Sequence, residues 1–110
     1  MLSERSRRAL LDRLENATWA QQFVDGLTFE TFAADRRTFY AVVRCLEIIS
    51  EASRRVDSAT KARHPQVPWR EMGDAGNVYR HRYENVSARL VWRTVHDRVP
   101  EVIAVCEAEL

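Results

Sequence analysis

Apolar residues recur along most of this chain at steps of three and four. Over residues 3–25, Leu10, Leu14, Ala17, Gln21 and Val24 form one stripe, which Leu11 and Phe23 widen. That period places them on one face of an amphipathic helix. Ser3 offers an N-cap hydroxyl, and Gly26 offers the freedom of a C-terminal stop. Thr28 then predicts a capped single turn, pinned to the core by Phe29 and Phe32. A second long helix is predicted over residues 35–56. Phe39, Val42, Leu46, Ile49 and Ser53 make its stripe, with Val43 and Ile48 beside them. Arg54 and Arg55 suit the negative end of that helix's dipole.

Residues 58–64 predict a short helix ended by Pro65, and Pro68 suits the first position of the next, before Trp69 to Met72. Gly73 to Gly76 reads as a loosening of the chain, and residues 77–83 as the start of another helical stretch. The final helix starts near Ser87 and follows Leu90, Val91, Thr94, Val95 and Arg98. Pro100 must kink or restart it before Val102, Ile103, Val105 and Cys106. No segment alternates at period two for long enough to make a strand, and there are no repeats or linkers. The expectation is one all-α domain over residues 1–110, an antiparallel bundle of four or five helices.

Composition agrees. Only 3 glycines and 3 prolines stand among 110 residues, too few for a turn-rich all-β fold. A hydrophobic share of 45% and a charged share of 30% describe a globular chain able to bury a core. A net charge of +1 excludes nucleic-acid binding driven by bulk charge, though not by a local patch. Lys61 is the single lysine among 17 cationic residues, a bias that a GC-rich genome also produces. Cys45 and Cys106 sit in apolar helical stretches and read as buried thiols. Neither a signal-peptide pattern nor an apolar run near the ~20 residues of a bilayer span is present, so a cytoplasmic protein without membrane contact is expected.

Charge concentrates over residues 61–83, where five cationic and two anionic side chains give +3. Within that stretch Asn77, Tyr79, Arg80, His81, Arg82 and Tyr83 gather donors, phenols and a titratable base. On a helix, Asn77 and His81 share a face, as do Tyr79 and Tyr83. The set suits RNA cleavage without a metal. An imidazole can take the proton of a ribose 2′-hydroxyl, and a guanidinium can hold the charge of the phosphorane that follows. Asn77 can position a phosphate, and Tyr83 can donate to phosphate or stack on a base. Such a cluster is also compatible with ordinary structural hydrogen bonding. His64, His81 and His96 are too scattered for a zinc signature, and neither glycine-rich phosphate loop nor nucleophile motif is present. Glu47 and Glu51, one turn apart, could serve acid–base work but read more simply as a solvent-facing or interface pair. Trp19, Trp69 and Trp92 read as core or interface aromatics.

Several motifs, in order, resemble those of one family. They are Phe29-Glu30-Thr31-Phe32 with Asp35-Arg36-Arg37-Thr38, the run from Ala41 to Ala52, Val67-Pro68-Trp69-Arg70, and His81-Arg82-Tyr83. The chain resembles the HepT-like toxins of the HEPN superfamily, all-α ribonucleases paired with a minimal nucleotidyltransferase antitoxin. Ser50 stands where glycine is usual in that family. Its catalytic pattern is an arginine shortly before a His-x-Tyr triplet. His81 and Tyr83 match the triplet, whereas Gly76, directly before Asn77, stands where the arginine is usual. The resemblance implies His81 as catalytic, and Arg80, next to it, is the nearest substitute for the missing arginine; Asn77, Arg82 and Tyr83 by their chemistry, and Glu51 by its place in the matched helix, are expected toward RNA. The resemblance further implies a homodimer with both His81 regions at one cleft, no cofactor, and silencing by AMP transfer to Tyr83. The alternative is a catalytically weak or inactive helical module that binds nucleotide or the nucleotidyltransferase.

Overall fold

The protein is described from a computed structural model, which covers residues 2–81 and 86–110, the side chains of residues 80 and 81 excepted. Among the described residues every regular element is helical. They are α1 (Glu4–Val24), α2 (Phe29–Ala34), α3 (Arg36–Arg55), α4 (Ser58–Arg63), α5 (Trp69–His81), α6 (Ala88–Asp97) and α7 (Val99–Glu109). Five of them have ten residues or more, while α2 and α4 have six each, in keeping with the expected all-α bundle. None of these helices is long and apolar enough to cross a membrane.

Side-chain caps set most of the boundaries. The hydroxyl of Ser3 accepts from the Ser6 amide at 3.0 Å and that of Ser87 from Leu90 at 3.0 Å. Asp35 accepts from the Thr38 amide at 3.2 Å, and Asp57 accepts from Thr60 at 2.8 Å. Thr28 and Thr31 cap each other reciprocally, so the expected single turn grows into α2. Each such cap satisfies an amide that a helix start leaves without an internal partner, worth about 1 kcal/mol. Gly26 adopts a φ of 78° just beyond α1, where an L side chain would be strained. Pro100 stands at the start of α7, so the chain ends one helix and restarts another there, as expected.

α1 packs most extensively on α3, and α7 closes over its other flank. The Asp57 amide, just past α3, donates to Ser6 Oγ near the start of α1 at 3.1 Å, so the two helices run antiparallel. Leu10, Ala17, Ala20, Val42, Val91 and Cys106 are fully buried at the centre. Burying each Leu or Val side chain contributes about 1.5–3 kcal/mol. Phe32 is also fully buried, with its ring 5.3 Å from Trp92 and 6.0 Å from Phe39, which fastens α2 to α3 and α6.

Two expectations are corrected. Leu11 and Phe23 are exposed, at 41% and 38%, rather than part of the core, and Trp19, at 47%, takes the core half of its expected core-or-interface placement away. α1 instead buries Ser6, Ala9, Leu10, Arg13, Ala17, Ala20 and Val24, because its small residues let α3 and α7 approach closely and leave the large side chains outside. Gly73 to Gly76 does not loosen the chain. It lies inside α5, for reasons found in the neighbouring helix.

Candidate active site

α5 begins after Pro68, whose carbonyl accepts from the Met72 amide at 2.9 Å, and continues through both glycines to His81. Glycine in a helix interior costs about 1 kcal/mol relative to alanine, so packing must offset the loss. α3 supplies it. Ser50, 3% exposed, donates its hydroxyl to the Gly73 carbonyl at 3.0 Å and accepts from the Gly76 amide at 2.8 Å. Arg54 Nε donates to the same Gly73 carbonyl at 2.9 Å. A Cβ built on Gly73 would lie 3.2 Å from Arg54 Cγ, tighter than ordinary contact. The glycines thus let α5 approach α3 closely enough for a serine hydroxyl to enter between two of its backbone groups. Ser50 and Gly76, both departures from the pattern the sequence resembles, are in direct contact.

The unbroken α5 brings Asn77, Arg80 and His81 onto one helix, with Asn77 and His81 a turn apart on one face. Asn77 is exposed. The side chains of Arg80 and His81, and Arg82 and Tyr83 altogether, fall outside the described residues. Tyr79 turns the other way. It is 8% exposed, and burial raises its phenol above the ordinary value, against an opposing pull from the Thr94 side chain of α6. It leaves the polar cluster. Glu51 lies on a different edge of α3, where it accepts from Arg55 Nε at 3.2 Å and Nη2 at 3.1 Å. Arg55 also reaches Asp12 of α1 at 3.0 Å, so Glu51 belongs to a network facing α1, while Ser50 and Arg54 face α5. Glu47 pairs with Arg44.

Between α3, α5, α6 and α7 runs an open, mainly apolar groove of about 480 Å³, lined by Leu46, Ile49, Val78, Tyr79, Leu90 and Val102 among others. Among the described residues no group of three or more His, Cys, Asp or Glu is placed to hold a metal. Cys45 and Cys106 are buried free thiols, as expected, and burial raises both above the usual thiol value.

Two features escaped the sequence reading. Arg13 of α1 is fully buried, with its guanidinium carbon 4.7 Å from the centre of the Trp69 ring and Nη2 3.6 Å from Met72 Sδ. Among the described residues its Nε and Nη1 find no hydrogen-bond partner, nor does Glu101 Oε1. Burial lowers its pKa, against opposing pulls from Cys106 and Glu101. The second feature is a clasp at Glu109. Arg63 donates to both its oxygens, at 3.0 and 2.7 Å, and His64 Nε2 lies 2.7 Å from Oε2. The Arg63 and His64 contacts lower the Glu109 carboxyl from 4.5 to about 2.

The described residues define a small all-helical bundle. The family model described as "Ribonuclease HepT-like" matches residues 13–109, and the chain belongs to that family. A protein of Thermococcus cleftensis named "Probable ribonuclease HepT" is 37% identical over 100 residues, covering 87% of this chain and 91% of that protein. A candidate RNase of Methanocaldococcus jannaschii is 35% identical over 102 residues, covering 92% and 94%. A candidate RNase of Caldanaerobacter subterraneus is 33% identical over 89 residues, covering 81% and 80%. No solved structure matches the chain with significance.

Proposed function

We propose that the protein is an endoribonuclease, the toxin of a toxin–antitoxin pair in the cytoplasm. The supporting observation is membership of the HepT-like family together with an unbroken α5 that carries Asn77 and His81 on one face. His81 takes the proton of a ribose 2′-hydroxyl, whose oxygen attacks the adjacent phosphorus. The bond from phosphorus to the 5′-oxygen breaks, that oxygen takes a proton, and a 2′,3′-cyclic phosphate remains. Arg80 stabilises the phosphorane charge, and Asn77, Arg82 and Tyr83 hold the RNA. One histidine per chain is thin for both acid and base, and a two-fold homodimer supplies the second. Purified protein, free of any partner, should cleave single-stranded RNA in the presence of a chelator, and His81→Ala should abolish the cleavage. RNA left intact by the unmodified protein at every pH would overturn the reading.

Silencing proceeds through a nucleotidyltransferase partner, which moves AMP from ATP to the Tyr83 hydroxyl with loss of pyrophosphate. The added bulk and charge beside His81 repel RNA phosphate. Co-expression with that partner should add the mass of AMP, and Tyr83→Phe should remove the addition; an unchanged mass sinks the idea.

One observation favours a second reading, a non-cleaving module that binds nucleotide or the nucleotidyltransferase. Gly76 is buried against Ser50, so α5 offers no guanidinium at that position. Partner binding that survives His81→Ala, with no cleavage by either form, would select it.

A further inference from the structure

We propose that Ser50 is a positioning residue for the candidate active site, setting how far along α3 the helix bearing Asn77 and His81 is seated. The inference rests on the ribonuclease reading above. Its ground is one buried hydroxyl used twice, as donor to the Gly73 carbonyl at 3.0 Å and acceptor from the Gly76 amide at 2.8 Å. Both partners are backbone groups of α5. A slide of α5 by one residue, about 1.5 Å, would therefore break both contacts and leave buried polar atoms without partners. Arg54 Nε grips the same carbonyl from one turn further along α3. The open groove runs beside this seam, with Ser50 of α3 and Tyr79 of α5 both in its lining. His81 follows Gly76 by five residues, about 7.5 Å along the axis, so the seat of Gly76 fixes the height of the helix backbone at His81.

Ser53 provides the control. It is equally buried on the same helix, but its hydroxyl donates within α3, to the Ile49 carbonyl at 2.7 Å. In steady-state cleavage of a single-stranded RNA, Ser50→Ala should lower kcat about tenfold or more while KM stays within about twofold, because misplacing a catalytic group costs the chemical step first. Ser53→Ala should leave both unchanged. The imidazole titration of His81, followed by NMR, should move in Ser50→Ala and stay in Ser53→Ala. Amide exchange at Gly76 should accelerate in Ser50→Ala alone. If Ser50→Ala does not fold, Ser50→Cys, which keeps the volume with a weaker hydrogen-bonding group, should show the same changes in smaller measure. A folded Ser50 variant with wild-type kcat and an unmoved His81 titration overturns the proposal. If the wild type cleaves no RNA, the ribonuclease reading fails, while the titration and the exchange still report whether Ser50 seats α5.

Discussion

The α3–α5 seam and the corner where α1, α4, α5 and α7 meet are fastened by different chemistry. The corner uses full charges. Arg13 is buried over Trp69 near Glu101, and Glu109 is clasped by Arg63 and His64. At the seam, the inner contact is neutral, with a serine hydroxyl and two backbone groups of a glycine pair, while at its exposed edge Arg54 adds one bond to the Gly73 carbonyl and a long ion pair to Asp74 at 4.0 Å. Charge-based fastening responds to protonation, whereas a hydroxyl shared between amide and carbonyl does not titrate near neutrality. The seam holds α5, the helix that carries Asn77, whereas the ion pairs of the corner tie α4 to the end of α7.

The contrast can be broken at the corner first. Arg13→Ala should destabilise the protein by about 3 kcal/mol in urea unfolding, since it opens a cavity beneath Trp69 and removes the positive charge facing Glu101. Arg13→Met, which fills the space without a charge, should fall within about 1 kcal/mol of the wild type. If alanine and methionine cost the same, the charge rather than the volume is what the corner needs. A smaller effect is expected at Glu109. Its carboxyl is depressed in the folded protein, so its contribution is complete above the ordinary value of 4.5 and disappears as pH falls through about 2. Glu109→Gln should therefore cost about 1 kcal/mol at neutral pH, with the gap to the wild type closing between those two pH values. A gap that persists at the acid end would show that the clasp works by shape and not by charge.

Much of the architecture is legible in the sequence because local signals carry it. The caps at Ser3, Thr28, Asp35 and Ser87, and the break at Pro100, act within a few residues of themselves. The misreadings arise where a distant element decides. Arg13 falls on the three-and-four spacing from Leu10 to Ala17, yet only Trp69, far along the chain, makes a buried guanidinium tolerable there. Gly73 and Gly76 look like breakers until Ser50 and Arg54 arrive from α3; their spacing of three, which puts both on one helical face, was the available sign of close packing. Leu11, Trp19 and Phe23 have the hydrophobicity of core residues, but alanines win the interior of α1 because two helices crowd it. Of the candidate site, the placement of Asn77 and His81 on one continuous helix follows from sequence spacing, whereas the diversion of Tyr79 to Thr94 depends on α6.

The first helix and the last are packed against each other, and this bears on how the molecule comes into being. During synthesis α1 and α3 can pair early, since they are near neighbours along the chain. The alanine-lined flank of α1 stays open to water until α7 has left the ribosome. A chain emerging from the tunnel therefore completes this interior only once α7 has followed, so α1 waits on a late contact.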